Sequence, residues 1–257
     1  MELVNYNVED RIAYISLNRP EKRNALNPDL VSSLIIAFSN AIGDEGVKVI
    51  VLSANGDVFS AGADLAYLQQ LQENSYEDNI ADSSTLRDLF YLIYTSPKAV
   101  IGQVEGHAIA GGCGLVSVCD IVFSVPAAKF GYTEVKIGFI PALVACFLVR
   151  KTGEARTREL LLSGALIDAE TASAYGLINF VRASEDIRES VKTYAEKLVE
   201  ETSGQSVTLT KQLLNMAQNK TLEDSLEEAV RLNATARASA DCKRGIGAFL
   251  NKEKIKW

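Results

Sequence analysis

Two loops of this sequence contain residue types suited to binding a negatively charged oxygen. One follows the apolar run Ala99–Val104 and has glycines at positions 106, 111, 112 and 114. The other, Phe59–Leu65, contains Gly62 and follows the apolar run Val47–Leu52. Glycine lets the chain turn tightly between a strand and a helix, where the first N–H groups of the helix have no internal partner. The two loops therefore predict an oxyanion site to which each contributes one N–H group.

Other functions of glycine-rich loops fit this sequence less well. A dinucleotide-binding turn needs G-x-G-x-x-G, whereas Gly112-x-Gly114 is followed three residues later by Ser117. A P-loop needs a lysine followed by serine or threonine, and neither loop contains that pair. The remaining alternative is a close contact between a helix and a strand, which a single loop of this kind would more often indicate.

Side chains with catalytic chemistry are sparse around these loops. His107 is the one histidine of the sequence and no G-x-S-x-G motif accompanies it, which argues against a serine hydrolase and excludes a histidine-rich metal site. His107 and Glu105 are expected to orient the glycine-rich loop, and Asp120 is expected to be structural. The cysteines form no C-x-x-C pair, so we expect reduced and mostly buried thiols at 113, 119, 146 and 242.

Hydrophobic periodicity predicts strands and helices in a mixed α/β order. Leu3–Val8 and Ile12–Leu17 alternate in polarity, which predicts a hairpin. Asn27 followed by Pro28 predicts the start of a helix that ends at Gly43. Helical segments separate the other predicted strands, which cover 47–52, 99–104, 121–125 and 177–181.

Two further regions are helical or polar. From Ser184 onward apolar residues recur at helical spacing to the end of the chain. The polar stretch 69–84 is equally consistent with a mobile rim over a ligand and with an ordinary surface helix.

Composition narrows the class of protein. A chain of 257 residues is long enough for one large core with a helical appendage or for two domains. The formal charge of −7 makes nucleic acid an unsuitable partner. No apolar stretch approaches the roughly 20 residues of a membrane span, and the first residues have no signal-peptide pattern. We therefore expect a soluble, cytoplasmic protein.

Several ordered motifs resemble the enoyl-CoA hydratase/isomerase family, also called the crotonase superfamily. They are R-P-E-K-R-N-A-L-N from residue 19, F-S-A-G-A-D-L from 59, G-H-A-I-A-G-G-C-G-L from 106, F-G-Y-T-E-V-K-I-G-F-I-P from 130 and G-A-F-L-N-K-E-K from 247. The resemblance implies an α/β fold, a β-β-α superhelix. It further implies a core over residues 1–183 with the CoA and oxyanion sites, and a helical region over 184–257 that assembles a homotrimer or a homohexamer.

The resemblance also assigns site residues. Ala63 and Gly111 match the N–H donors of the oxyanion hole, and Glu134 matches one of two catalytic glutamates of the hydratases, while Gly114 stands at the other. Partial burial is expected to raise the pKa of Glu134. Residues expected to line the substrate pocket are Gly112, Gly114 and Tyr132. Residues expected to bind CoA are Lys22, Arg23, Ala25, Ala61, Asp64 and Leu65, with Phe249 and Lys252 reaching a neighbouring subunit's site.

The predicted reaction follows from this resemblance. The motifs G-G-C-G-L-V and T-E-V-K-I-G-F-I-P-A-L-V are similar to those of bacterial proteins assigned as methylglutaconyl-CoA hydratases, which favours hydration in leucine degradation. A single glutamate favours a double-bond isomerase instead. Thioester hydrolysis and a non-catalytic acyl-CoA-binding or RNA-associated relative remain open. No tightly bound cofactor or metal is expected, since coenzyme A forms part of the substrate.

Overall fold

The computed structural model describes residues 2–257, and the chain begins with the predicted hairpin. β1 (Val4–Glu9) and β2 (Ile12–Leu17) pair antiparallel around the two-residue turn Asp10-Arg11. Both turn residues have positive φ, 49° and 66°, as a tight turn between twisted strands requires. α1 (Pro28–Gly43) begins where predicted, because the Asn27 side chain accepts a hydrogen bond from the N–H of Leu30.

The larger of two sheets contains the predicted strands. Its order is β1-β2-β3-β5-β7-β10, and every pair beyond the hairpin is parallel. The further strands are β3 (Val49–Ala54), β5 (Ala99–Val104), β7 (Ile121–Ser124) and β10 (Phe180–Val181). All four predicted strands are confirmed, although β10 contains only the last two residues of its predicted range.

The smaller sheet was not predicted from the sequence. It consists of β4 (Val58–Ser60), β6 (His107–Ile109), β8 (Lys129–Gly131) and β9 (Ile167–Asp168), adjacent in that order. β4, β6 and β8 are parallel, and β9 is antiparallel to β8. Strands of two or three residues are too short to show a period of two in their polarity, so periodicity did not reveal them.

Strands of the two sheets and the helices repeat along the chain. Each repeat runs from the larger sheet through the smaller sheet into helix, as in β3–β4–α2–α3, β5–β6–α4 and β7–β8–α5. The helices are α2 (Leu65–Leu71), α3 (Tyr76–Tyr94), α4 (Gly111–Val118) and α5 (Ala142–Ser163), the last interrupted at Gly153. This arrangement is the predicted β-β-α superhelix. The polar stretch 69–84 lies in α2 and α3, joined at 72–75, as the surface-helix alternative predicts.

The last part of the chain is helical, as predicted. It contains α6 (Ala169–Ala174), α7 (Ile187–Glu201), α8 (Gly204–Ala217), α9 (Leu222–Ala238) and α10 (Ala240–Asn251). α7 packs on the larger sheet and buries Ile187, Val191, Ala195 and Val199 at helical spacing. α9 and α10 bury none of their residues. No helix within residues 2–257 is both long and apolar enough to cross a membrane.

The order of the smaller sheet determines which loops meet. Ser60 of β4 lies opposite Ala108 of β6, and Ala108 lies opposite Phe130 of β8. Because these strands are parallel neighbours, the segments that leave their C-terminal ends lie side by side. Those segments contain the three residues predicted to act on the substrate, Ala63, Gly111 and Glu134.

Candidate functional site

The loops that follow β4 and β6 are in direct contact. Gly62 has a φ of +90°, and a Cβ there would lie 2.7 Å from the Ala110 Cβ, 2.9 Å from the Ile109 carbonyl oxygen and 3.5 Å from the Gly111 nitrogen. Glycine alone permits both this φ and this approach. The N–H group of Gly111 and that of Ala63, the residue after Gly62, are therefore held close to each other.

Leu26 fixes the direction of the Ala63 N–H. The Leu26 N–H donates to the Gly62 carbonyl at 2.7 Å, and the Leu26 carbonyl accepts from the Asp64 N–H at 2.9 Å. Because N–H groups alternate in direction along extended chain, the Ala63 N–H points away from Leu26. Within residues 2–257, the N–H groups of Ala63 and Gly111 donate no hydrogen bond. Both are free to bind one oxygen atom.

Ala110 sets the direction of the second donor through an unusual backbone conformation. Its φ of 50° and ψ of −124° are rare for a residue with a side chain, and such conformations typically cost about 1–3 kcal/mol. The Ala110 N–H donates to the Gly131 carbonyl at 2.8 Å, which ties this turn to β8. The turn lets α4 begin at Gly111 and leaves the first N–H group of that helix unpaired.

Glu134 follows β8 and begins a short 3₁₀-helix, Glu134–Ile137. Its Oε2 is buried and has no hydrogen-bond partner in residues 2–257. Burial raises the pKa of this carboxyl above that of an ordinary glutamate. Burial also raises the pKa of the Cys113 thiol in α4 to about 12, and the Glu134 charge adds to that shift. A basic carboxylate and two free N–H donors thus come from adjacent strand ends.

The C-terminal end of α4 is held by a partly buried cation that the sequence analysis did not identify. Lys151 of α5 donates to the carbonyls of Cys119 at 2.6 Å and Val116 at 3.3 Å. Burial lowers the Lys151 pKa. A helix dipole is stabilised by a cation at its C-terminus and by an anion at its N-terminus. Lys151 supplies the cation for α4, and an oxyanion at Gly111 would supply the anion.

The structure differs from the prediction that Tyr132 and Gly112 line a substrate pocket. Tyr132 is fully buried, and its hydroxyl donates to the Cys113 carbonyl at 3.3 Å. A Cβ on Gly112 would lie 2.5 Å from the Ser60 carbonyl oxygen, so this glycine lets α4 pack against β4. Both residues belong to the core that supports the site rather than to an open pocket wall.

Gly114 is also a packing residue. A Cβ there would lie 2.6 Å from Val144 Cγ1 and 2.9 Å from Phe90 Cζ. Two apolar side chains therefore occupy the space where hydratases of the resembled family carry their first catalytic glutamate. Glu134, on the segment that leaves the neighbouring strand β8, remains the candidate for the acid and base.

The residues predicted to bind CoA come from two segments that the structure joins. The Ala61 N–H donates to the Arg23 carbonyl at 3.0 Å. The Arg19 guanidinium donates to the Ala25 carbonyl at 3.1 Å and to the Asp64 carboxylate at 2.7 Å. Residues predicted to bind CoA that the structure exposes are Lys22, Arg23 and Leu65.

The Asp64 carboxylate already has partners within the chain. Its ion pair with Arg19 lowers its pKa, and its other oxygen accepts the N–H of Ala66 at 3.0 Å as the N-cap of α2. Both side chains of the ion pair are only 14% exposed. Asp64 therefore shapes the loop, and any direct contact with CoA is left to its neighbours.

Asn24 joins the two segments and was not identified from the sequence. It is completely buried, and its amide donates to the carbonyls of Asn55 at 2.9 Å and Val58 at 2.8 Å. Its carbonyl oxygen Oδ1 accepts the Arg19 N–H at 2.8 Å. The one signal for this role was its position inside the R-P-E-K-R-N-A-L-N motif.

Asp120 has the expected structural role, whereas the expectation that His107 and Glu105 orient the glycine-rich loop stays a prediction. His107 Nδ1 accepts the N–H of Lys129 at 3.1 Å, and Asp120 accepts the N–H of Val100 at 2.7 Å. All four cysteines are free thiols, of which Cys113 and Cys119 are buried. The expectation of mostly buried thiols is wrong for Cys146, which is exposed on α5.

Phe249 and Lys252 are not brought to the oxyanion loops of their own chain. Their helix, α10, is fixed through a 2.6 Å hydrogen bond from Ser203 to Asp241, and Arg11 binds the Trp257 carbonyl at 2.8 Å. Arg11 lies at the N-terminal end of β2, whereas the oxyanion loops follow the C-terminal ends of their strands.

Comparison with known proteins agrees with this architecture. The family described as enoyl-CoA hydratase/isomerase matches residues 7–257. A relative from Thermus thermophilus is 43% identical over 241 residues, which cover 94% of this chain and 95% of that protein. The 2,3-dehydroadipyl-CoA hydratase of Escherichia coli is 31% identical, covering 95% of this chain and 94% of its own.

A solved structure, an enoyl-CoA hydratase from Shewanella pealeana, superimposes with a TM-score of 0.94 at 27% identity, covering 99% of this chain and 96% of that one. The family match spans nearly the whole sequence, and the shared fold includes the strand ends that hold Ala63, Gly111 and Glu134. The chain belongs to the enoyl-CoA hydratase/isomerase family, the crotonase superfamily.

Proposed function

We propose that this protein hydrates a 2-enoyl-CoA thioester, with Ala63 and Gly111 as oxyanion donors and Glu134 as the acid and base. The observation that supports this most strongly is the convergence of three parallel strand ends on one place. There, among the residues that the structure describes, two N–H groups have no partner and one buried carboxylate oxygen has none either. Donors and acceptor of this kind are what the polarisation of a thioester and the activation of water require.

The proposed reaction begins with the thioester oxygen between the N–H groups of Ala63 and Gly111. The Glu134 carboxylate takes a proton from water as the water oxygen bonds to C3, and the electrons of the double bond move onto the thioester oxygen. The resulting enolate is stabilised by the two donors, each typically worth about 3 kcal/mol. Protonated Glu134 then returns a proton to C2, which restores the thioester and the free carboxylate.

Isomerisation is the second candidate, and the packing around Gly114 favours it. Because Val144 and Phe90 fill the space at that position, a second carboxylate is absent from the place where the family's hydratases have one. Moving a double bond requires only one group that removes a proton from one carbon and returns it to another. Glu134 and the same two donors are sufficient for that reaction.

For the CoA part of the substrate, we propose that Lys22 and Arg23 contact the phosphates and that Ala25, Ala61, Asp64 and Leu65 shape the binding site. The exposure of both cations beside the oxyanion loop supports this placement. For the acyl part, we propose 3-methylglutaconyl-CoA, on the basis of the motif resemblance. An E. coli relative named for dehydroadipyl-CoA, another acyl group with a terminal carboxylate, is compatible with that class.

We also propose assembly into a trimer or hexamer through the helical region 184–257, with Phe249 and Lys252 serving a neighbouring subunit. The apolar residues that α9 and α10 leave exposed support this proposal. The cytoplasm is the proposed compartment, consistent with the acidic composition and free thiols.

Incubating the protein with crotonyl-CoA and with 3-hexenoyl-CoA, followed by chromatography that separates the isomers and by mass spectrometry, tests these reactions. Gain of one water on crotonyl-CoA supports hydration, and conversion of 3-hexenoyl-CoA to its 2-enoyl isomer at constant mass supports isomerisation. Release of free CoA would instead indicate a thioester hydrolase. Binding of both thioesters without any turnover would contradict an enzymatic role.

A further inference from the structure

A surface groove lies between α3 and the start of α5. It has a volume of about 330 Å³ and is lined by Tyr76, Asn79, Ile80, Ser83, Ser84 and Arg87 of α3 and by Leu143 of α5. Spacings of three and four residues place these α3 residues on one face of the helix. Arg87 is the one charged residue among them, and the others offer an amide, hydroxyl groups and two aliphatic side chains.

Both helices that line the groove also contact α4, the helix that begins at the oxyanion donor Gly111. Phe90 lies one turn beyond Arg87 on the same face of α3 and contacts the position of Gly114. Leu143 precedes Val144, which contacts Gly114 from the other side. Gly114 is one turn from the oxyanion donor Gly111 in α4. Arg87 therefore marks the end of the groove nearest to α4, one helical turn from Phe90, and Ile80 and Tyr76 lie about two and three turns farther away.

The Arg87 guanidinium has donors available for an anion. Its Nε and Nη2 both bind Asp88 Oδ1, at 2.9 Å and 2.7 Å, which leaves Nη1 without a hydrogen bond in residues 2–257. Asp88 does not line the groove, and neither does Asp82, whose carboxylate accepts the Tyr67 hydroxyl. Asp88 thus pairs with one edge of the guanidinium, Nη1 remains available to a ligand, and no residue that lines the groove carries a carboxylate.

We infer that this groove binds the acyl chain and that Arg87 selects enoyl-CoA thioesters whose far end carries a carboxylate. Leu143 would contact the methylene groups of such a chain, and the hydroxyl groups of Ser83 and Ser84, one turn from Arg87, would bind its polar end. This inference rests on the proposed function, because it makes the groove part of the same active site. A chain that ends in a methyl group would leave these polar groups without a partner and gains nothing from Arg87.

The test uses acyl groups of equal length that differ only at the far end. Binding of the saturated thioesters adipyl-CoA and hexanoyl-CoA is measured by calorimetry, which needs no turnover. Hydration of 2,3-dehydroadipyl-CoA and 2-hexenoyl-CoA is measured in parallel. We expect the wild-type protein to prefer the carboxylate-bearing member of each pair by about two- to fivefold, the range for a charge pair that is half exposed.

Arg87→Met should abolish that preference, and Arg87→Lys should retain part of it. The matched control is Arg158→Met, which removes an exposed α5 arginine that pairs with Glu154 far from the groove and should leave the preference unchanged. Equal binding of adipyl-CoA and hexanoyl-CoA, or a preference that survives Arg87→Met, would overturn the inference while hydration of crotonyl-CoA could still stand. Selective binding of adipyl-CoA without hydration of any enoyl-CoA would support the groove and overturn the proposed reaction.

Discussion

Glu134 combines a buried carboxylate oxygen that has no partner with a pKa raised by burial. If it is the acid and base, Glu134→Gln keeps the shape of the site but cannot transfer a proton, so kcat should fall by about 10²- to 10⁴-fold with little change in CoA affinity. Stopped assays with crotonyl-CoA and calorimetry with CoA measure the two quantities. Glu185→Gln, an exposed site on the surface, is the matched control. A loss smaller than tenfold would assign proton transfer to another group.

The same substitution has an expected effect on stability. Because the folded-state pKa of Glu134 lies above its unfolded value, the folded protein binds the proton more tightly, and its stability falls as pH rises through that window. Glu134→Gln removes this penalty, so its melting temperature should exceed that of the wild type at pH 7. The difference should shrink as the pH approaches the pKa of an unfolded glutamate. A lower melting temperature at pH 7 would contradict an unpartnered carboxylate.

Lys22 and Arg23 are two exposed cations on a short segment fixed by Asn24. Replacing both with alanine should weaken CoA binding by about tenfold and reduce its salt dependence, because two charge contacts with phosphate are lost. Calorimetric titrations at low and high ionic strength measure this effect. The double variant Lys192→Ala/Lys197→Ala removes the same charge from α7 and should leave both values unchanged. Equal losses in the two double variants would point to net charge rather than to a phosphate site.

At the scale of elements, α4 is packed so closely that Gly114 cannot simply regain a catalytic glutamate. A Cβ would lie 2.6 Å from Val144 Cγ1 and 2.9 Å from Phe90 Cζ. Overpacking of this kind typically costs about 1–3 kcal/mol, so Gly114→Ala should lower the melting temperature. Gly43→Ala is the matched control, because no atom lies within 4 Å of a Cβ there.

Relief of that packing makes a second test of the same position possible. Val144→Ala should recover most of the stability lost in Gly114→Ala, since it removes the closer of the two contacts. Activity of the combined variant Gly114→Glu/Val144→Ala/Phe90→Leu on crotonyl-CoA then shows whether a second carboxylate aids hydration. If Gly114→Ala is as stable as the wild type, the contacts with Val144 and Phe90 do not restrict this position.

Element prediction from the sequence succeeded where a pattern extended over several residues. β1 and β2 alternate over six residues each, and α1 has both a cap and a periodic apolar face, so their positions were predictable. β4 and β6 have three residues each, and their pairing depends on contacts distant in the sequence. The oxyanion donors were inferred from glycines and resemblance, but their convergence follows from the pairing of those short strands.

The sequence alone did not predict which atoms each glycine packs against. Gly112 and Gly114 belong to a motif that indicates a catalytic loop, yet each is a packing residue because of side chains from other elements. Tyr132 was predicted to line the pocket, and the structure buries it under α4. Roles that depend on which helix lies opposite a residue require knowledge of the packing, which local pattern does not contain.

At the scale of the whole molecule, one chain holds all three proposed catalytic residues, but the apolar residues of its last two helices are exposed. The superhelix brings Ala63, Gly111 and Glu134 together within the subunit. By contrast, Trp257 is tied to the Glu200 carbonyl at 3.1 Å and keeps the end of the chain beside α7. The segment that follows α10 is thus fixed beside α7, and the apolar residues Ile246, Phe249 and Leu250 of α10 are exposed.

Phe249 tests whether those helices assemble subunits, because it is 83% exposed and contributes nothing to the core of its own chain. If α9 and α10 form the interface, light scattering should give three or six times the chain mass of 27.9 kDa. Phe249→Asp should shift the protein toward monomer, since burying a charge without a partner opposes association. Lys243→Asp, which also places an aspartate on the exposed surface of α10, is the control.

CoA affinity should fall with dissociation if Phe249 and Lys252 reach a neighbouring site. A wild-type protein that stays monomeric at micromolar concentration would contradict assembly, and a monomeric variant with full CoA affinity would show that each subunit binds CoA alone.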